Sequence, residues 1–180
     1  MRVARNAAVE DFRAYAVARS ARLHRAALLL TGDRGHAEDL VQTTLIKVYV
    51  NWRRVVKAGN ADAYVNRVLV NTHLSLLRKR RLRELLSDSL PEPAPVDPRY
   101  PVEELEAVWA ALAGLPPRQR AAVVLRHYQG FSESETAEIL NTSVGNVKSL
   151  TSRGLAGLRR CLSQSGEDAI VASVPTMRGI

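Results

Sequence analysis

Phe131-Ser-Glu-Ser-Glu-Thr-Ala-Glu-Ile-Leu-Asn-Thr-Ser-Val-Gly-Asn-Val-Lys-Ser-Leu-Thr-Ser-Arg153 is the stretch from which the fold can be read. Ser132 and Glu135 have the spacing of a capping box, in which a hydroxyl and a carboxylate satisfy backbone N–H groups at a helix start. Asn141 tolerates the left-handed backbone that ends such a helix, and Ser143 caps a second one running to about Leu162. Ala137 is the small residue needed where two helices touch, and Ile139, Leu140, Val144 and Val147 make an internal core. Asn146, Lys148, Ser149, Ser152 and Arg153 are then left on the outside. This pattern predicts a helix-turn-helix, whose second helix lies in a DNA major groove, with an ordinary helical hairpin as the alternative. By itself the motif says only that DNA is bound.

Upstream of this motif the chain also reads as helix. One periodic stretch runs from about Val9 to Leu30 through Phe12, Ala16, Leu23 and Ala27, and Gly32 stops it. Asp33 offers a cap for a second helix with Ala37, Leu40, Val41, Thr44, Leu45, Val48, Tyr49 and Trp52 on one stripe. Residues Val55 to Asn60 read as a loop, and Asp62 can cap a third helix to about Glu84 with Val65, Val68, Leu69, Thr72 and Leu76 inward. Pro91, Pro93, Pro95, Pro98 and Pro101 exclude a helix interior and mark a linker. Beyond it come a helix through Leu105, Val108, Trp109 and Leu112, and another opened by Pro116 or Pro117 and running through Ala121, Val124, Leu125 and Tyr128. An all-α protein of two small domains follows: residues 9–84, a linker over 85–102, a second domain over 103–163, and a disordered tail over 164–180. A hydrophobic content of 46% with only 5% aromatics suits such aliphatic helix packing.

The formal charge of +8 points to a polyanionic partner, because bound cations displace the counterions condensed on phosphates. Of the 26 basic residues 22 are Arg, which suits phosphate and guanine but would also follow from a GC-rich genome. Arg78, Lys79, Arg80, Arg81 and Arg83 crowd the end of the third helix, whereas the linker is acidic, so charge changes sign between the domains. Tyr64, Arg67, Asn71, Ser75 and Arg78 share the outward face of the third helix. That mixture suits a single strand, since Tyr stacks, Asn and Ser pair with base edges and Arg holds the backbone; a solvated face with Tyr64 tucked inward is the alternative. On the second helix Ile46 and Val50 lie opposite the core stripe beside Asp39, Gln42 and Thr43, which suggests a protein contact unless they are singly exposed residues of no consequence.

These residues also carry a family resemblance. Thr31-Gly-Asp-Arg-Gly-His-Ala-Glu-Asp-Leu-Val-Gln-Thr-Thr-Leu-Ile-Lys-Val-Tyr49 resembles the polymerase-binding helix of extracytoplasmic-function (ECF) RNA polymerase sigma factors of the sigma-70 family. Ala63-Tyr-Val-Asn-Arg-Val-Leu-Val-Asn-Thr-His-Leu-Ser-Leu-Leu-Arg-Lys-Arg-Arg81 is similar to their melting and minus-ten-reading segment. Leu115-Pro-Pro-Arg-Gln-Arg-Ala-Ala-Val-Val-Leu-Arg-His-Tyr128 and Ser143-Val-Gly-Asn-Val-Lys-Ser149 look like region 4, which binds the minus-thirty-five element. The match covers about Asp11 to Leu162 and is nearest the SigE-type subfamily.

The resemblance implies that Asp39, Gln42, Thr43, Ile46 and Val50 meet the clamp helices of the polymerase beta-prime subunit, and that the chain also meets the beta subunit. It implies that Tyr64, Arg67, Asn71, Ser75, Arg78, Lys79, Arg80 and Arg81 serve the minus-ten strand, with the Val55 to Asp62 loop near a flipped-out base. Ser143, Asn146, Lys148, Ser149, Ser152 and Arg153 would serve the minus-thirty-five duplex. Core polymerase and promoter DNA are the expected partners, an anti-sigma factor a further candidate, and the linker would thread the active cleft. The chain departs from the family at Leu150, often Arg, at Asn146, commonly Thr, and at Gly154, often Ala. The last is expected to lower helix stability by ~1 kcal/mol.

A dimeric helix-turn-helix regulator acting on duplex DNA is the rival, but it leaves the third-helix face and the acidic linker unexplained. Catalysis is not expected: His24, His36, His73 and His127 lie on separate elements, and neither a nucleophile nor a cofactor or metal motif is evident. The single Cys161 and the lack of an apolar stretch of spanning length suit a soluble cytoplasmic protein without membrane contact.

Overall fold

The computed structural model of the chain describes residues 2–86 and 103–164, with side-chain environments for residues 8–83 and 108–163. Every regular element among them is helical: α1 (Arg2–Thr31), α2 (Arg34–Lys57), α3 (Ala61–Leu86), α4 (Glu103–Ala113), α5 (Pro117–Val123), α6 (Glu133–Leu140) and α7 (Val144–Gln164). A π-helical turn, Val124–Tyr128, continues α5. The fold is all-α, as expected. The Pro-rich segment beyond Leu86 and the tail beyond Gln164 lie outside the described residues.

Short connections join α1, α2 and α3 into a bundle in which α2 packs against both neighbours. Gly32, at φ +73°, takes the left-handed turn that ends α1, and the Asp33 carboxylate accepts from the His36 N–H at 2.7 Å to start α2. Three boundaries differ from the expectation. Helix α1 begins at Arg2, and α2 runs on to Lys57 because Val55, 2% exposed, extends its apolar stripe by a turn. The cap of α3 is Asn60, whose side-chain oxygen accepts from the Ala63 N–H at 3.0 Å. Asp62 lies inside the first turn of α3, where it accepts from the Tyr15 hydroxyl at 2.8 Å and pairs with Arg19 at 2.9 Å.

The core of this bundle holds Leu23, Ala27, Leu30, Leu40, Val41, Val48, Trp52, Val65 and Leu69, all of them on the stripes read from the sequence. Leu76 is half exposed and Tyr49 sits at the rim, its ring 5.1 Å from Phe12; both stand at the margin of their helical stripes. Trp52 is buried and donates its indole N–H to Asp11 at 3.0 Å.

Helix α7 is the spine of the second half, packing on α4, α5 and α6. Gly154 packs directly against α5: a Cβ there would lie 2.6 Å from Val123 Cγ2 and 3.3 Å from the Gln119 carbonyl. Beside the helix propensity it is expected to cost, this glycine therefore has a packing role, because α5 occupies the space an alanine would need. The π turn bonds the Gln129 N–H to the Val124 carbonyl at 2.9 Å, an i to i+5 spacing that inserts a residue before the helix-turn-helix.

The two halves share one continuous buried core. Helix α6 packs along α3, while α1 touches α4, α5 and the π turn. Arg120 is buried at this seam and donates to the Leu30 carbonyl at 2.7 Å and to the Ala113 carbonyl.

Candidate nucleic-acid interface

The helix-turn-helix is held by the local chemistry its sequence foretells. The Glu135 N–H bonds the Ser132 hydroxyl at 3.2 Å and the Ser132 N–H bonds the Glu135 carboxylate at 2.8 Å. Those contacts hold the Glu135 carboxyl below its ordinary pKa range. Asn141 adopts the left-handed conformation at φ 48°, and the Ser143 hydroxyl accepts from the Asn146 N–H at 3.2 Å. Ile139, Leu140 and Val147 are buried between the helices, but Val144 is 39% exposed and lies outside that core, since its place in the first turn of α7 points it past α6.

On the outer face of α7, Ser143, Asn146, Lys148, Ser152 and Arg153 are exposed and Ser149 is half-buried. The Asn146 amide donates to Thr142 at 2.8 Å, Arg153 donates to the Ser149 hydroxyl at 2.7 Å, and Lys148 stands 3.6 Å from Glu133. These bonds orient the side chains and leave the Asn146 amide oxygen and the other guanidinium N–H groups of Arg153 for a further partner. Leu150 turns inward and packs against the core.

On α3, Arg67, Asn71, Arg78, Lys79, Arg80 and Arg81 are exposed and Ser75 is half-buried. Tyr64 is also half-buried, packed against the core, so the inward alternative holds for much of its ring. Arg67 is already engaged: it donates to the Glu138 carbonyl of α6 at 2.7 Å. On α2, Ile46 is 67% exposed and Val50 77%, with Asp39 and Gln42 exposed and Thr43 half-buried on the same side. The structure thus leaves one outward face on each of α2, α3 and α7.

Sequence reasoning missed the seam. His73 is 5% exposed and is held neutral, its pKa lowered to about 4 by burial and, secondarily, by the charge of Arg120. The His73 Nε2 and the Arg120 Nε are both buried without a hydrogen-bond partner. Arg22 crosses from α1 to the Gln129 carbonyl at 2.6 Å. Nothing local to these residues distinguishes them from the other arginines and histidines. Among the described residues no group of His, Cys, Asp and Glu is placed to hold a metal ion, and no helix is long and apolar enough to cross a membrane.

The family described as Sigma-70 region 2 matches residues 16–83, and the one described as Sigma-70, region 4 matches residues 105–158. This chain belongs to the sigma-70 family of sigma factors. It is 37% identical over 161 residues to the RNA polymerase sigma-E factor of Streptomyces avermitilis, a match covering 89% of this chain and 90% of that one. The sigma-E factor of Streptomyces coelicolor is 38% identical over 89% of this chain and 91% of its own. The ECF RNA polymerase sigma factor SigM of Mycobacterium tuberculosis is 32% identical over 147 residues, a match covering 78% of this chain and 71% of that one, which places this sigma factor in the ECF group. A solved structure of the sigma factor RpoE in complex with the anti-sigma factor NepR, from Bartonella quintana, superposes with a TM-score of 0.76 at 30% identity. That superposition covers 86% of this sigma factor and 98% of RpoE, so it takes in both halves together.

Proposed function

We propose that this sigma factor binds core RNA polymerase through the outer face of α2 and directs it to promoters, reading the minus-ten strand with α3 and the minus-thirty-five duplex with α7. Asp39, Gln42, Thr43, Ile46 and Val50 meet the beta-prime clamp helices in this reading. Residues 9–84 form the polymerase-binding and melting domain, residues 103–163 the upstream-element domain, and residues 85–102 the connection between them. The sigma factor works in the cytoplasm, where polymerase is, and catalyses nothing itself. An anti-sigma factor is a further partner, by analogy with RpoE and NepR.

The observation that carries the reading is the pair Ile46 and Val50, aliphatic and mostly solvent-exposed on a helix whose opposite stripe is fully buried. A regulator acting on duplex DNA alone has no use for that face. A gel shift on promoter duplex separates the two: a sigma factor needs added core polymerase for a stable specific complex, whereas a dimeric regulator forms one without it. Specific binding that is indifferent to core polymerase would reject the proposal.

A further inference from the structure

Backbone bonds fix the corner between α6 and α7. The Asn141 N–H bonds the Glu138 carbonyl at 3.3 Å and the Thr142 N–H bonds the Ala137 carbonyl at 2.9 Å, the pair of bonds that closes a helix on a left-handed residue. From α5, Arg118 donates to the Leu140 carbonyl at 2.9 Å and holds the same corner from outside the motif. Thr142, half-buried at the end of this turn, therefore carries its hydroxyl on a backbone with little freedom to swing.

That hydroxyl accepts a hydrogen bond from the Asn146 amide nitrogen at 2.8 Å, while the Asn146 backbone N–H bonds Ser143 at 3.2 Å. Both backbone and side chain of Asn146 are thus anchored at the start of α7. With its nitrogen turned back to Thr142, the exposed amide offers its oxygen outward, and an amide oxygen can only accept. Beside it, Gly145 has open space where a Cβ would stand, so no side chain there separates the helix start from a ligand. Lys148 and Arg153, farther along the same face, can only donate. The acceptor therefore lies nearest the end of α7 that a recognition helix turns toward base edges.

We infer that Asn146 reads an exocyclic amino group in the major groove, adenine N6 or cytosine N4, and that Thr142 is the positioning residue that turns its amide oxygen outward. This role rests on the proposed reading of upstream duplex by α7. Adenine and cytosine present amino donors in the major groove, where thymine and guanine present the acceptors O4 and O6. An oxygen brought against either of those acceptors leaves both without a partner once water is displaced. A free asparagine would turn its amide over to suit either class of base, and the bond to Thr142 holds it one way round.

Core polymerase carrying the full chain selects from a promoter library randomised through both elements, and the bound DNA is sequenced. Wild type is expected to favour adenine or cytosine about fivefold or more at one upstream position. Asn146→Ala levels that position and leaves the others unchanged. Thr142→Val, which keeps the shape and loses the hydroxyl, levels it too, whereas Thr142→Ser retains it. A merely structural role of Thr142 would instead weaken every upstream position alike. Circular dichroism checks the fold, and Thr142→Ala takes the place of valine if the turn is disturbed. An Asn146-dependent position that favours guanine or thymine overturns the acceptor reading. A wild-type profile in folded Thr142→Val overturns the positioning role. If Arg153→Ala alters an upstream position and Asn146→Ala alters none, base reading by Asn146 is wrong while α7 still meets the duplex; if neither alters one, the proposed upstream reading by α7 fails.

Discussion

Ile46 and Gly154 show how differently two residues can be constrained on similar helices. Ile46 has 67% of its surface in water, so a charge placed there scarcely disturbs the isolated fold. Ile46→Glu is expected to retain the wild-type circular dichroism and melting temperature while losing co-purification with core polymerase, because an unpaired charge buried at an interface costs several kcal/mol, on the order of 3 to 5. Normal polymerase binding by a folded variant would exclude this face. Gly154 is under the opposite constraint. Alanine would gain about 1 kcal/mol of helix propensity, but its Cβ would lie 2.6 Å from a methyl of Val123, a β-branched side chain with little rotamer freedom. Gly154→Ala is expected to lower stability by ~1 to 2 kcal/mol in urea unfolding, overpacking outweighing propensity. A stabilised variant would mean that α5 shifts freely.

At the scale of the element, α3 and α7 both present polar and basic residues outward, yet their expected failures differ. Asn71 is exposed on α3, and Asn71→Ala should slow promoter opening more than it weakens the closed complex. A pre-melted bubble template should restore most of the rate, and equal defects on duplex and bubble would contradict strand reading. Lys148 on α7 is 63% exposed, and its 3.6 Å pair with Glu133 contributes little in water. If it contacts a phosphate, Lys148→Ala reduces the salt slope of upstream-duplex binding by about 0.9 and weakens different sequences alike. An unchanged slope over a salt series would remove Lys148 from the interface. Both helices were legible as elements because caps and periodicity are local. The first turn of α3 was not, since Asn60 and Asp62 are equally good caps and contact with Tyr15 and Arg19 fixes which one stays inside.

Across the whole molecule the seam makes stability depend on pH. Burial and Arg120 depress the His73 pKa to about 4 from an ordinary 6.5, so below 6.5 the unfolded chain takes up a proton that the folded chain refuses. Stability from this group is complete above pH 6.5 and falls as the pH drops toward 4, by up to about 3 kcal/mol. His127, also lowered by burial, contributes in the same direction. Thermal melts across that range should show a steep fall for wild type and a shallower one for His73→Leu; parallel curves would show that His73 is not the group responsible. The all-helical class, the helix-turn-helix, the exposed aliphatic pair on α2 and the basic face of α3 were determined by the sequence itself, because each rests on residues within a few turns of one another. The tertiary structure alone decided that Arg67 is occupied, that Arg120 and His73 are buried, and that Gly154 is needed for packing. These depend on partners 71, 90 and dozens of residues away, and no local pattern records which carbonyl or methyl group the folded chain will bring there.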